Sequence, residues 1–337
     1  MPLIRTFLRS LRASQPFNRL VTTTIRGGFS ITGLSSQFVM NRMRRVGLVE
    51  DVLPNGRMLR MWTEDDDLIP NIVFWGGWDS FEPETVVPFF RLAAKARTTF
   101  DAGAHIGLLT LLAGHANPKG HVYAFEPMPE TYRRLRLNVD LNGLTNVECV
   151  PRAVGEIEST AEIFYNTGVA LGGESSLRRE CTEAFKVYCP IGEISGMPVP
   201  VIRLDEFVQK RGVTNLDLVK LDTEGTEPDV LHGMEETLRR DHPILICEVL
   251  KGFGTEQSLE DILAPNGYRY YLLTPDGPIQ RDRVEGQPDG RFELRNYLFA
   301  TLPHYDVTQL CWDRQDYRLT SSARRIPGIG ASPNRQV

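Results

Sequence analysis

The strongest chemical signal in the sequence is a short segment that carries one carboxylate and two glycines. It reads Asp101-Ala-Gly103-Ala-His105-Ile-Gly107, follows a run of strand-forming residues and precedes a segment whose apolar pattern predicts a helix. Glycines at such a bend let the backbone pass close to a ligand and present its amide groups at the start of a helix. The segment therefore predicts a loop that binds a nucleotide or a nucleoside cofactor.

The charge of Asp101 and the spacing of the glycines narrow the choice of cofactor. The third glycine of the GxGxxG fingerprint of dinucleotide sites is missing. Asp101 would repel a pyrophosphate, whereas S-adenosylmethionine carries an ammonium and a sulfonium and no phosphate. Glu126 ends the next predicted strand, 25 residues on, where it can accept hydrogen bonds from both ribose hydroxyls. The two acids predict an S-adenosylmethionine site; the alternative is a turn in which Asp101 only caps a helix and Glu126 is solvated.

A second pair of acids follows a later predicted strand. Residues 216–221 are mostly apolar, Asp222 follows them directly, and Glu224 comes two positions further on. Ligands of open α/β sheets bind at the carboxyl ends of the strands, so we expect both carboxylates to face the pocket. Carboxylates beside an S-adenosylmethionine site can act as a base toward a methyl acceptor or bind a divalent cation. Asp222 and Glu224 are the candidate catalytic residues; alternatively, Asp222 contacts the cofactor or orders the loop and Glu224 caps the following helix.

Further residues are expected around the cofactor and the methyl acceptor. Arg152 and Ala153 end the third predicted strand, near where an adenine would lie, so we expect their backbone to contact it. Ser175 and Ser176 lie in a glycine-rich stretch, and Glu248 ends the fifth strand; we assign these three residues to the acceptor side. Alternatively, the two serines only stabilise a turn, and Glu248 is an acid at a strand end without a role in binding.

Apolar runs alternate with amphipathic segments from residue 98 onward, which is typical of repeated βα units around a parallel sheet. We predict an α/β fold with a Rossmann-like, doubly wound, mostly parallel sheet of seven strands. The stretch 156–201 breaks the alternation with glycines and prolines and is interpreted as an insertion near the rim of the site. The strands are predicted at 98–101, 122–126, 147–150, 216–221, 244–248, 268–273 and 294–301, and the helices near 106–115, 129–142, 226–239 and 257–265.

The N-terminal part of the chain differs in charge from the rest. Residues 1–49 contain eight Arg and no Asp, Glu or Lys, and residues 2–12 have the pattern of a basic amphipathic helix. Such a helix packs on the domain, serves as an organelle transit peptide or makes peripheral contact with a membrane. We divide the remaining chain into an N-terminal cap (50–97) laid over the mouth of the main domain, that domain (98–312) and a flexible polar tail (313–337).

The composition excludes several classes of protein. The 337 residues carry a formal net charge of −5, so nothing favours nucleic acid as a partner, and no Asn/Asp-Pro-Pro-aromatic motif for a flipped base is present. The five Cys form no CxxC pair, which argues against a disulfide framework and a zinc knuckle. No stretch approaches the roughly 18 apolar residues of a membrane span. We expect a cytoplasmic protein; the Arg-rich N-terminus leaves an organelle or a membrane surface as the alternative.

Several short segments occur in an informative order. They are Phe81-Glu82-Pro83, Phe100–Gly107, Phe125-Glu126-Pro127, Leu141-Asn142-Gly143, Ser175-Ser176-Leu177, Leu204-Asp205 and Lys220–Gly225. Together they resemble the FkbM family of methyltransferases. The resemblance implies a Rossmann-like fold, S-adenosylmethionine as donor and, usually, O-methylation of a hydroxyl on a sugar, glycolipid, polyketide or other small molecule. His105 stands where the family commonly has Asn, and there it would hydrogen-bond the methionine part of the cofactor.

Two other functions are compatible with this fold. An NAD-dependent oxidoreductase would use the same sheet, but Asp101 and the incomplete glycine pattern argue against it. A methyltransferase fold without catalysis would serve as a binding subunit, but the intact Asp101, Gly103, Gly107 and Glu126 argue against that. We therefore expect a methyltransferase that acts on a hydroxyl of a small-molecule, sugar or lipid-linked acceptor.

Overall fold

The computed structural model describes residues 15–32, 43–64, 67–169, 171, 175–186, 190–286 and 295–311. The helix predicted at 2–12 and the tail predicted at 313–337 lie outside these residues. The described chain forms two compact units with their boundary between Phe81 and Glu82. This boundary divides the proposed cap at 50–97, and the position of the cap over the main domain stays a prediction.

The first unit, within residues 15–81, contains a two-stranded antiparallel sheet and two helices. Its elements are α1 (Gln15–Thr32), β1 (Gly47–Val52), β2 (Met58–Thr63) and α2 (Leu68–Gly76). Arg45 is buried in this unit, where it donates to the hydroxyl of Thr22 at 2.9 Å and lies 4.9 Å from the centre of the Phe74 ring. Burial lowers the pKa of its guanidinium to about 10. At least one arginine of the basic N-terminal segment is therefore structural.

The second unit, from Glu82 onward, alternates strands and helices along the chain. Its strands are β3 (Thr98–Ala102), β4 (His121–Phe125), β5 (Val147–Val150), β6 (Ala153–Gly155), β7 (Ser159–Asn166), β8 (Ile194–Arg203), β9 (Leu218–Leu221), β10 (Ile244–Glu248), β11 (Arg269–Thr274), β12 (Gly277–Arg281) and β13 (Asn296–Ala300). Its helices are α3 (Pro83–Ala93), α4 (Leu108–Ala116), α5 (Pro129–Leu141), α6 (Arg179–Phe185), α7 (Leu204–Arg211), α8 (Glu227–His232), α9 (Glu235–Asp241), α10 (Thr255–Leu263) and α11 (His304–Cys311). None of the described helices is both long and apolar enough to cross a membrane.

An eight-stranded sheet organises this unit, in the order β12-β11-β13-β10-β9-β3-β4-β5. Five neighbouring strands, β10, β9, β3, β4 and β5, are parallel to one another, and β13 runs antiparallel to β10. The chain leaves β3 toward β4 and β5 and later returns to place β9 on the other side of β3. The carboxyl ends of β3 and β9 therefore lie side by side at a topological switch point, where open α/β sheets bind their ligands.

All seven predicted strands are present, with ends that differ by at most two residues, and the Rossmann-like fold is confirmed. Strand β12 is an eighth strand that the sequence does not predict. It begins with Gly277-Pro278, which is typical of a turn, and it lies at the edge of the sheet. An edge strand tolerates a proline because one side of its backbone needs no partner.

The single helix predicted over 226–239 is wrong, because the chain forms α8 and α9 with a break at Gly233. A Cβ on Gly233 would lie 2.1 Å from the carbonyl oxygen of Gly155 in β6, so two backbones pass against each other there. Asp205 then caps α9, since its carboxylate accepts hydrogen bonds from the amides of Glu236 at 3.1 Å and Thr237 at 2.9 Å. These contacts join residues far apart in the sequence, which a local helical pattern does not reveal.

The insertion at 156–201 contains strands that the sequence does not predict. Strands β7 and β8 pair in antiparallel fashion, and β6 adds to the other side of β8. Strand β8 was not predicted because it contains Pro198 and Pro200, and a proline removes a hydrogen bond from an ordinary sheet ladder. Here β6 pairs only with Val201–Arg203, so both prolines lie where β8 has a single neighbour.

We expect Asp205→Ala to lower the free energy of unfolding by about 2 kcal/mol, because the start of α9 loses its cap. Urea unfolding, followed by circular dichroism, measures this change. Gln209→Ala, at an exposed position of α7, is the control and should change stability by less than about 0.5 kcal/mol. Equal effects of the two substitutions would contradict the capping role of Asp205.

Candidate active site

The predicted cofactor loop begins where β3 ends. Asp101 is 2% exposed and accepts a hydrogen bond from the hydroxyl of Thr110 at 2.5 Å, which ties the strand end to the first turn of α4. The amides of Gly103 and Ala104 both donate to the carbonyl of Phe125 at 3.0 Å, which ties the loop to β4. Protein contacts therefore hold the loop on both sides.

Both predicted glycines of the loop have left-handed backbone conformations, with φ 81° at Gly103 and 95° at Gly107. A Cβ on Gly103 would lie 1.8 Å from the carbonyl oxygen of Asp222, and one on Gly107 would lie 2.5 Å from Leu135. Another part of the chain therefore fills the space that the sequence argument assigned to a ligand. The glycines are required because the loops after β3 and β9 touch at Gly103 and because α5 packs against Gly107.

Glu126 follows β4 directly and is 5% exposed. One of its carboxylate oxygens accepts a hydrogen bond from the amide of His105 at 2.9 Å, and the other from the amide of Met128 at 2.8 Å. Burial raises the pKa of the Glu126 carboxyl, although His105 and the two amides oppose this effect. Each oxygen keeps a second lone pair, so Glu126 can still accept hydrogen bonds from two hydroxyls.

Asp101 is buried deeply enough for its protonation to change near neutral pH. Burial raises the pKa of its carboxyl to about 6, while the hydrogen bond from Thr110 and the charge of Lys220 act in the opposite direction. The ionised form predominates at pH 7, and a cation bound nearby would favour it further.

Arg152 follows β5, which ends at Val150 beside the end of β4, whereas Ala153 does not end the third strand but begins β6, where it pairs with Val201 of β8. The carbonyl of Val150 accepts hydrogen bonds from the amides of both Arg152, at 2.9 Å, and Glu126, at 3.1 Å. A cavity of about 410 Å³ begins close by, two residues after Glu126. It is lined by Met128, Pro129, Glu130, Tyr165, Thr167, Val169, Leu171 and Met197. Its mostly apolar lining and its size are those of a site for a small molecule or part of a cofactor.

Lys220 is buried in β9 and fixes the position of Asp222. Its ammonium donates to the carboxylate of Asp222 at 3.1 Å and to the carbonyl of Leu221 at 3.2 Å. Burial lowers the pKa of this ammonium, but the charges of Asp222, Glu82 and Glu248 outweigh burial and raise it. Lys220 therefore stays cationic and balances part of the negative charge around it.

Glu224 lies in the turn after β9 in a left-handed conformation, with φ 56°. The hydroxyl of Ser176 donates to the carbonyl of Glu224 at 2.7 Å, so Ser176 orders this turn. The amides of Thr223 and Gly225 donate to the carboxylate of Glu227 at 2.8 and 3.1 Å. Glu227 therefore orders the turn before α8, whose N-cap residue Thr226 makes no side-chain capping hydrogen bond.

Glu248 joins Asp222 and Glu224 at the ends of β9 and β10. One oxygen from each of the three carboxylates lies within 4.8 Å of the others. Burial, followed by the charge of Asp222, raises the pKa of Glu248 well above its ordinary value, and Arg295 opposes this effect with a hydrogen bond of 3.1 Å. The structure thus brings together both predicted catalytic acids and one predicted acceptor-side acid. The assignment of Ser175 to the acceptor stays a prediction.

Glu82, Arg295 and Asn296 belong to this cluster, although the sequence argument assigned none of them. The carboxylate of Glu82 accepts a hydrogen bond from the side-chain amide of Asn296 at 3.1 Å. Burial and the charge of Asp222 raise the pKa of Glu82 to about 7. The segment Phe81-Glu82-Pro83 was the available signal for Glu82, whereas no motif surrounds the other two residues.

The positions of these groups define a class of protein. A doubly wound sheet with a glycine-bearing loop at its switch point suits a cofactor that contains a nucleoside. The carboxylates of Asp101 and Glu126 favour a cationic cofactor without phosphate. The acidic cluster at the end of β9 adjoins the same loop through Gly103. This combination is that of a methyltransferase that uses S-adenosylmethionine.

Comparison with known proteins identifies the family. The family model described as the methyltransferase FkbM domain matches residues 101–270, just over half of the 337 residues. The chain belongs to the FkbM methyltransferase family and is an S-adenosylmethionine-dependent methyltransferase. The resemblance inferred from the motifs is confirmed, and nothing supports the oxidoreductase or the non-catalytic binding subunit.

Three similar proteins are methyltransferases by name. Methyltransferase sdnD of Sordaria araneosa is 28% identical over 211 residues, which are 56% of this chain and 76% of sdnD. The 31-O-demethyl-FK506 methyltransferase FkbM of Streptomyces tacrolimicus is 26% identical over 199 residues, 53% of this chain and 75% of that protein. The hexuronic acid methyltransferase AglP of Haloferax volcanii is 28% identical over 159 residues, 47% of this chain and 58% of AglP.

Gly103→Ala is expected to abolish binding of S-adenosylhomocysteine, because a Cβ there would overlap the carbonyl oxygen of Asp222. Gly143→Ala is the matched control, since Gly143 also has a positive φ, 61°, but no atom lies within 4 Å of its Cβ position. The control should lose about 1 kcal/mol of stability and keep its affinity. Calorimetric titration of both variants measures the difference. Unchanged affinity in Gly103→Ala would show that the two loops need not touch.

The affinity for S-adenosylhomocysteine, which carries the cofactor's ammonium, should fall as the pH decreases through 6. Binding of a cation favours ionised Asp101, whose pKa is raised to about 6, so protonation at lower pH removes the attraction. Between pH 7 and pH 5 the ionised fraction, and with it the affinity, should fall about tenfold. Asp101→Asn should bind weakly, with little change over this range. If calorimetry gave equal affinities for the unaltered protein at both pH values, Asp101 would not interact with the charge of the cofactor.

Proposed function

We propose that this chain transfers the methyl group of S-adenosylmethionine to a hydroxyl oxygen of a small-molecule, sugar or lipid-linked acceptor. The observation that carries the proposal is the convergence of Asp222, Glu224 and Glu248 beside the cofactor loop, with carboxylate oxygens within 4.8 Å of one another. A hydroxyl, unlike an amine with a free lone pair, must lose a proton as it is methylated. A cluster of carboxylates next to the donor meets this requirement.

The cofactor would extend along the ends of β3, β4 and β5. Glu126 would accept hydrogen bonds from the ribose hydroxyls, and Asp101 would attract the cationic end with the help of His105. The adenine would lie near Arg152 and Ala153, where the cavity beginning at Met128 offers an apolar surface. This placement leaves the sulfonium close to Gly103 and therefore close to Asp222.

S-adenosylmethionine supplies an activated methyl group, so the protein's task is to position the acceptor and to remove its proton. Asp222 is the candidate base, because Lys220 orients its carboxylate and 35% of the side chain remains exposed. Glu224 lies in the adjoining turn, within reach of the same acceptor oxygen. Lys220 also stabilises the negative charge that develops on that oxygen before the methyl group arrives.

The names of two relatives support an oxygen as the acceptor atom. FkbM of Streptomyces tacrolimicus is named for a 31-O-demethyl substrate, and AglP of Haloferax volcanii for a hexuronic acid. Both names fit an acceptor with hydroxyl groups. We expect no nucleic acid as a partner, since the chain has a net charge of −5. Peripheral membrane contact through residues 2–12 also stays a prediction.

Asp222→Asn and Glu224→Gln should lower turnover by about 100-fold or more in at least one case, because they remove the proton acceptor. Candidate hydroxyl compounds, screened with methyl-labelled cofactor, provide the assay. Glu236→Gln is the control, since 73% of its side chain is exposed on α9, and it should retain full activity. Affinity for S-adenosylhomocysteine is measured in parallel to show that each variant is folded. Full turnover in both Asp222→Asn and Glu224→Gln would refute the catalytic assignment.

A further inference from the structure

We propose that the ends of β9 and β10 form a site for a divalent cation of the magnesium or manganese type. Its ligands are carboxylate oxygens of Asp222, Glu224 and Glu248, with the side-chain oxygen of Asn296 as a fourth. We call these four residues the cation site. The site is argued from the geometry of the protein, whereas its role in the reaction rests on the proposed O-methylation.

The distances within the site suit an oxygen-coordinated cation. One oxygen each of Asp222, Glu224 and Glu248 lies within 4.8 Å of the others. Magnesium binds oxygen at about 2.0–2.1 Å and calcium at about 2.3–2.6 Å, so ligands on opposite sides of such ions are about 4–5 Å apart. Small movements of the partly exposed Asp222 and Glu224 side chains would bring the three carboxylates onto one such ion, without rearrangement of the strands.

Two buried oxygen atoms provide an independent observation. Glu248 is 6% exposed, and its Oε2 has no hydrogen-bond partner within the described residues, while Oε1 is bound by Arg295. Asn296 is 3% exposed, and its Oδ1 likewise has no partner there, while its amide nitrogen donates to Glu82. A buried acceptor without a partner is unfavourable, and a bound cation would give a partner to both atoms.

Strand pairing places these two atoms together. Glu248 and Asn296 are direct partners in the antiparallel ladder of β10 and β13. Residues that face each other in such a ladder project from the same side of the sheet, with Cβ atoms about 5 Å apart. Asn296 therefore adds an oxygen beside the one carboxylate of the site that is most deeply buried.

Lys220 and Arg295 neutralise only part of the local charge. The carboxyl groups of Glu82, Asp222, Glu224 and Glu248 outnumber these two cations. Lys220 occupies Oδ2 of Asp222, and Oδ1 has no hydrogen bond within the described residues.

The ligand chemistry selects the kind of metal. Carboxylate and amide oxygens, without histidine or cysteine, favour magnesium, manganese or calcium over zinc or copper. Asp222 and Glu224 are partly exposed, so the oxygen of an acceptor hydroxyl can approach the ion from their side. Bound there, the ion would lower the pKa of the hydroxyl and hold its oxygen beside the cofactor loop.

Binding of Mn²⁺ alone tests the site without any acceptor. The full chain is treated with a chelator and dialysed, and the loss of the free Mn²⁺ signal in electron paramagnetic resonance is followed during titration. We expect one Mn²⁺ per chain, displaced by excess Mg²⁺. Glu248→Gln and Glu224→Gln should each weaken binding at least tenfold, while Glu236→Gln should bind as the unaltered protein does.

S-adenosylhomocysteine affinity, measured on the same samples, separates loss of the ion from loss of the fold. Glu224→Gln serves as the second variant because it changes a partly exposed turn residue and no strand. No Mn²⁺ binding, or binding that survives both Glu248→Gln and Glu224→Gln, would overturn the site.

The role of the ion in methyl transfer is tested separately. Transfer of the labelled methyl group should stop in chelator and return with Mg²⁺, and full transfer in chelator would overturn this role. Absence of any hydroxyl acceptor, with Mn²⁺ binding intact, would refute the proposed function and support the site.

Discussion

The contact between Gly103 and the carbonyl oxygen of Asp222 is the constraint on which the rest of the site depends. It joins the loop after β3 to the loop after β9, and a hydrogen bond of 3.0 Å from the amide of Asp222 to Ala102 continues the junction. Methyl transfer needs donor and acceptor in line and nearly in contact. Because the cofactor loop and the acidic cluster meet at this contact, the fold itself sets the distance between the methyl donor and the acceptor.

Buried charge is the second constraint. Glu82, Asp222 and Glu248 lie around the ammonium of Lys220, which burial alone would tend to neutralise. The loss of hydration around such groups is offset only when opposite charges and hydrogen bonds replace water, as Lys220 and Arg295 do here. Apolar residues would stabilise this region at lower cost. A group of buried ionisable residues with shifted pKa values is typical of a functional site.

Elements that depend on local sequence patterns were predicted correctly, whereas elements that depend on contacts between distant parts of the chain were not. The central strands were predicted because parallel strands buried on both faces are rich in continuous apolar runs, as in residues 122–125 and 244–247. Strands β8 and β12 were missed because their prolines are acceptable only where a strand lacks a neighbour, which sequence does not show. The prediction of one helix over 226–239 was wrong at Gly233, where the chain packs against Gly155 of β6, almost 80 residues earlier in the sequence.

The sequence by itself determined the family, the cofactor and the placement of Asp101, Glu126, Asp222 and Glu224 at strand ends, because these depend on residue type and local spacing. Only the tertiary structure decided which of these groups meet and in what state of protonation. Glu82 and Asn296 are 214 residues apart and share a hydrogen bond. The raised pKa of Glu82 and the grouping of Glu248 with Asp222 likewise arise from packing and burial, which no pattern of neighbouring residues specifies.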